Sequence, residues 1–198
     1  MPKICITLFV SVFCCCIQVC QGQSELPILR RGTSDQLFFN QGDSLSLVKE
    51  GNQNVQSVIM LFHAEEDTIG LDPGLSTRGR FRAFNLQKIF AKIPFAGFYT
   101  TPFRNNILTL QPLMDAQKKE AVYYDQADIA ALVKKIDYLY PAHVMVMVHP
   151  PTLHKVIQQL GGPPNAFSAS GFLSDKILVL KRDRSGIAKL HVMSYTVR

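Results

Sequence analysis

The sequence predicts an α/β fold with a mostly parallel sheet and an antiparallel end. Three observations lead there. Unbroken apolar runs of strand length at 57–62 and 144–148 suit strands covered by helices on both faces. Strand-like and helix-like segments alternate four times along the chain, which is the pattern of a parallel sheet joined by helical crossovers. Two short apolar strands near the C-terminus, 176–181 and 187–192, are joined through 182–186 as a hairpin. At 198 residues the chain holds one domain of ordinary size plus a short appendage. With 47% apolar and 18% charged residues it builds a proper core, which excludes a disordered or collagen-like chain.

Residues 1–22 have the layout of a secretory signal peptide. Lys3 is followed by an uncharged apolar stretch over 4–19 and the small residue Gly22, after which cleavage is expected. The alternatives are a retained membrane anchor and lipid attachment at Cys20. The run falls short of the ~20 residues that a spanning helix needs, and Val19 is bulky where a small residue ordinarily precedes a lipidated cysteine. All five cysteines (Cys5, Cys14, Cys15, Cys16, Cys20) lie in this segment. The mature domain is therefore expected to have no disulfide, thiolate nucleophile or cysteine zinc site, and to be secreted or periplasmic.

Residues 23–55 are rich in Gln, Asn, Ser and Gly and read as an extension that adds an edge strand; the main domain follows over 56–198. Its first strand, 57–62, runs into His63 and an acidic stretch, Glu65, Glu66 and Asp67. Past a Gly/Pro loop, Ser76 is placed to N-cap an amphipathic helix. A strand at 96–99, a helix at 101–116 opened by Pro102, a strand at 121–124 and a helix at 127–139 come next. The strand 144–148 leads into His149, and a short helix over 152–160 is closed by Gly161 and Gly162.

Ligands of open α/β sheets bind at the carboxyl ends of the strands. His63 and His149 are each the first polar residue after a buried strand, so neighbouring strands would turn both imidazoles into one crevice. A neutral imidazole there acts as a nucleophile toward phosphorus, and a second donates a hydrogen bond. Backbone satisfaction at loop starts is the simpler alternative. The acidic stretch at 65–67 has no metal-ligand spacing and reads as a solvated loop. Arg78, Arg80 and Arg82 read as an exposed helix face, with Arg82 packing structurally.

The segments Leu61-Phe-His-Ala-Glu65, Leu75-Ser-Thr-Arg-Gly79 with Arg82 and Ala83, Tyr99-Thr-Thr-Pro-Phe103 up to Thr109, and Val146-Met-Val-His149 with Thr152 resemble, in order and spacing, the successive motifs of the histidine phosphatase superfamily. They are most similar to its short exported or phosphohistidine phosphatase-like branch. The resemblance implies a three-layer α/β/α sandwich, with His63 as the residue that is phosphorylated and His149 as its pocket partner.

The sequence departs from the family pattern at the anion-binding positions. Phe62 stands where the family has an arginine before the nucleophile, and Asn105 stands where a second arginine precedes the threonine matched by Thr109. Arg104 is adjacent and is the substitute anion clamp, although its direction on a helix differs by ~100°. Asp125 and Asp128 are the nearest acids for the family's proton donor. Losing two guanidiniums forfeits ~3–6 kcal/mol of phosphate binding, roughly 10² to 10⁴ in affinity. The expected protein is weakly active or non-catalytic, binding a phosphorylated small molecule, an envelope component or another anionic ligand through Phe62, Asn105 and Arg104 beside the two histidines. The alternative is an active phosphomonoester or phosphohistidine phosphatase with His63 as nucleophile. No metal or cofactor is expected. The net charge of +6 is scattered, which argues against a nucleic-acid partner. Membrane contact is expected only through an uncleaved signal or a lipid anchor.

Overall fold

The computed structural model describes residues 26–48, 54–163, 165, 167–185 and 188–196. The expected signal segment lies outside them. The strands are β1 (Ile28–Gly32), β2 (Gln36–Phe39), β3 (Ser44–Ser46), β4 (Val55–Leu61), β5 (Phe95–Thr100), β6 (Ala121–Tyr123), β7 (His143–Met147), β8 (Lys176–Asp183) and β9 (Ala188–Tyr195). The helices are α1 (Thr77–Phe90), α2 (Arg104–Gln117), α3 (Ile129–Tyr138) and α4 (Leu153–Gln159). All nine strands form one sheet in the order β3-β2-β1-β9-β8-β4-β7-β5-β6.

The strands β4, β7, β5 and β6 pair in parallel, and β8 and β9 form the antiparallel hairpin. Strand alternation divides the core. Ile59 and Leu61 face Leu86, Phe90, Leu110 and Met114 of α1 and α2, while Val58, Met60 and Phe62 face Ile129, Leu132, Val156 and Ile157 of α3 and α4. Two helices thus cover each face, giving the three-layer α/β/α sandwich. Residues 26–48 contribute more than one edge strand: β1 pairs parallel with β9 and carries β2 and β3 as an antiparallel meander, with Leu29, Leu37 and Leu47 in the α1/α2-side core.

Helix starts follow local chemistry. Ser76 Oγ accepts from the Gly79 N–H at 3.1 Å, as its N-cap position predicts. Asp128 caps α3 by accepting from the Ala131 N–H at 3.0 Å. At α2 the N-cap is Phe103, which has no side-chain acceptor, and Asp72 of the preceding loop accepts from the Arg104 N–H at 3.0 Å. That contact docks the 66–75 loop onto the start of α2.

Candidate functional site

Parallel register brings the two histidines together. Leu61 is paired with Met147, and the Val148 N–H donates to the Leu61 carbonyl at 2.9 Å, so His63 and His149 leave adjacent strands at the same end of the sheet. His63 Nδ1 lies 2.9 Å from the Ala64 carbonyl oxygen. A carbonyl only accepts, so Nδ1 carries a proton, and in the neutral form of the ring the lone pair lies on Nε2. That is the tautomer a nucleophilic imidazole needs.

His149 is held differently. Its Nε2 lies 3.0 Å from Thr101 Oγ1 and 3.4 Å from Asn106 Nδ2, and Asn106 Nδ2 donates to Thr101 Oγ1 at 2.7 Å. With Thr101 accepting from Asn106, the threonine proton is free to point at His149 Nε2, an arrangement that suits a neutral ring protonated at Nδ1. Burial, and then the neighbouring His63, push its pKa below the ordinary histidine value. The Phe103 ring stands edge-on to it, 5.8 Å between centroids.

Thr109 fixes the loop that carries His63. Its Oγ1 accepts from the Ala64 N–H at 2.9 Å and donates to the Asn105 carbonyl at 2.7 Å, clamping the residue after His63 to α2. Glu65 is bound in bidentate fashion by Arg82, at 2.7 Å from Nε and 2.6 Å from Nη2, and Arg78 Nε lies 3.0 Å away. Arg82, 1% exposed, also donates to the Tyr195 carbonyl at 3.1 Å. Burial raises the Glu65 carboxyl, but hydrogen bonds and the charges of Arg82 and Arg78 outweigh it and leave the pKa below the ordinary value. A Cβ at Gly79 would lie 2.0 Å from the Glu65 carbonyl oxygen, so this close approach of α1 requires glycine. The acidic stretch is therefore not simply solvated: Glu65 is a brace, and Glu66 accepts from Asn105 Nδ2 at 2.8 Å.

Other expected site residues fall as follows. Asn105 is 9% exposed and its Oδ1 is buried without a partner among the described residues, as is Asn106 Oδ1. Phe62, 3% exposed, is not an open pocket wall; it packs in the α3/α4-side core, 6.5 Å from the Phe167 ring. Arg104 extends over Gly74 into a groove between α1 and α2 that it shares with Arg80 and Leu108, as the helical direction change from Asn105 requires. Asp125 lines a cavity of about 460 Å³ with Thr101, Phe103 and Tyr123, and its Oδ1 accepts from the Ala127 N–H at 2.8 Å. Asp128 is committed to capping α3. Nothing in the sequence pattern marks Asn106, and Thr101 and Glu66 lie in segments that it marks without giving either a role in holding the site. The detectable signal for Thr101 was its place at a strand end, where His63 and His149 also lie. Among the described residues, no three His, Cys, Asp or Glu side chains are grouped to hold a metal ion.

No protein-family model and no curated protein matches this sequence. Solved structures do match. The chain is similar to the protein histidine phosphatase SixA complexed with tungstate, at 17% identity and a TM-score of 0.55 over 70% of this chain and 97% of that one. A mycobacterial glucosyl-3-phosphoglycerate phosphatase matches at 12% identity and a TM-score of 0.59 over 72% and 100%. The SixA protein of Agrobacterium tumefaciens matches at 20% identity and a TM-score of 0.55 over 70% and 97%. The chain has the fold of the histidine phosphatase superfamily.

Proposed function

We propose that this is an exported protein of histidine phosphatase fold that binds a phosphorylated or other anionic ligand between His63 and His149, and turns it over weakly or not at all. One observation carries the reading. The two imidazoles leave adjacent strands at the same end of the sheet, near enough for His63 to lower the His149 pKa, yet the position matched to a pocket arginine holds Asn105, whose amide is tied to the Glu66 carboxylate. The His149 ring, its pKa held down by burial, and the Asn105 amide, tied to a carboxylate, offer a dianion hydrogen bonds without the charge that makes such bonds strong. The ligand is a phosphorylated small molecule or an envelope component.

A second reading is favoured by the His63 tautomer. In an active enzyme Nε2 would form a bond to phosphorus as the ester P–O bond breaks, and water would then hydrolyse the phosphohistidine. The departing alkoxide needs a proton. Asp125 is the better placed donor, because it lines the cavity with Thr101, the hydrogen-bond partner of His149, whereas Asp128 does not.

Turnover of p-nitrophenyl phosphate by the wild type and by His63→Ala separates the readings. Turnover at the level of His63→Ala supports the binding protein. Turnover well above it establishes the phosphatase. Export is tested by intact mass, with a mature N-terminus expected at Gln23; exported material that retains 1–22 contradicts it.

A further inference from the structure

We propose that the groove between α1 and α2 is a separate binding site for a carboxylate-headed amphiphile such as a medium- or long-chain fatty acid. The groove encloses about 530 Å³, within the range of small-molecule sites. Leu75, Ala83 and Leu108 form an apolar floor. Ile69 of the 66–75 loop and Phe84 of α1 form apolar walls, and both are large hydrophobic side chains left exposed. An apolar chain lying on this floor would cover them.

The charge of the groove selects the head group. Arg80 and Arg104 both line it, and among the described residues neither guanidinium has a hydrogen-bond or carboxylate partner. Asp67 is the acid in the lining, and its Oδ1 is already engaged by the Thr68 N–H at 2.8 Å. Two guanidiniums and one carboxylate leave one positive charge, which a single carboxylate head neutralises while accepting forked N–H donors. The inference does not depend on the crevice reading, since neither His63 nor His149 lines the groove.

The test is calorimetric titration of the full chain with dodecanoate below its micellar concentration, with methyl dodecanoate as the uncharged control. Saturable binding of one equivalent is expected. Arg80→Gln with Arg104→Gln, both exposed positions, should weaken it at least ~10-fold, and the ester should bind at least ~10-fold more weakly than the acid. His63→Ala should bind dodecanoate like the wild type. Absence of saturable binding overturns the proposal. So does equal binding of acid and ester, which would indicate a purely apolar occupant, or wild-type affinity in the double variant. Loss of binding in His63→Ala would assign the carboxylate to the crevice and also overturn it.

Discussion

Glu65 and Glu66 are neighbours in sequence and belong to opposite regimes. Glu65, two residues after His63, is paired with Arg82 and Arg78, and the Tyr195 carbonyl accepts from a further Arg82 donor. Glu66 is exposed, and its partner is the neutral amide of Asn105. The brace sets two guanidiniums against one carboxylate, whereas the Glu66 carboxylate meets a neutral amide. The contacts that position the two histidines run through the Leu61 and Ala64 backbone, Thr109, Thr101 and Asn106, all of them uncharged. Other guanidiniums near the loop, Arg80 and Arg104, are turned into the α1/α2 groove.

The largest effect should come from breaking the brace. Arg82→Ala removes the bidentate partner of Glu65, leaving Arg78 as its remaining cation, and should cost ~1.5–3 kcal/mol of stability, read by denaturant unfolding. A loss below ~1 kcal/mol would mean that the pair is only a surface ion pair. A smaller effect separates structural acids from catalytic ones. Asp128→Ala removes the α3 cap and should cost ~1 kcal/mol while leaving anion binding unchanged. A loss of anion binding would return Asp128 to the site.

The crevice should respond to pH more than the brace does near neutrality. His149 is held below the ordinary histidine value, mainly by burial, so it is neutral in the empty crevice. A bound dianion favours the imidazolium and raises that value, so binding takes up a proton. Affinity for sulfate, which stays a dianion, should therefore rise as pH falls from 7.5 to 5.5, by a few-fold and at most ~10-fold per unit for one proton. Calorimetry across that window checks it, and a flat profile would remove His149 from the binding site. The same shift works against folding. The unfolded chain takes up protons below its ordinary histidine value, so the contributions of His149 and of buried His143 are present above that pH and lost as pH falls through it.

The parallel half of the fold was legible because its strands are continuous apolar runs and Ser76 marks a helix start. The meander β1–β3 was harder to read: β1 pairs with β9, far away in sequence, and 26–48 has no long apolar run to signal it. In the site, His63 and His149 were legible from strand ends, and the direction change between Asn105 and Arg104 followed from helical geometry. The pairings Glu65 with Arg82 and Glu66 with Asn105 were not, since they join different elements through tertiary packing. Phe62 was misplaced because motif alignment gives a position in sequence, whereas strand alternation sends its ring into the α3/α4-side core.

The central claim is that the crevice has the geometry of an anion site and lacks its charge. Calorimetric titration of inorganic phosphate into the wild type and into Asn105→Arg tests it most directly. The new guanidinium would replace the Asn105 amide beside Glu66 and add a charged donor next to His63 and His149, worth ~1.5 kcal/mol or more. The predicted result is weak phosphate binding by the wild type and a gain of at least ~10-fold in the variant. An unchanged affinity in folded Asn105→Arg, or tight binding by the wild type, would contradict the account.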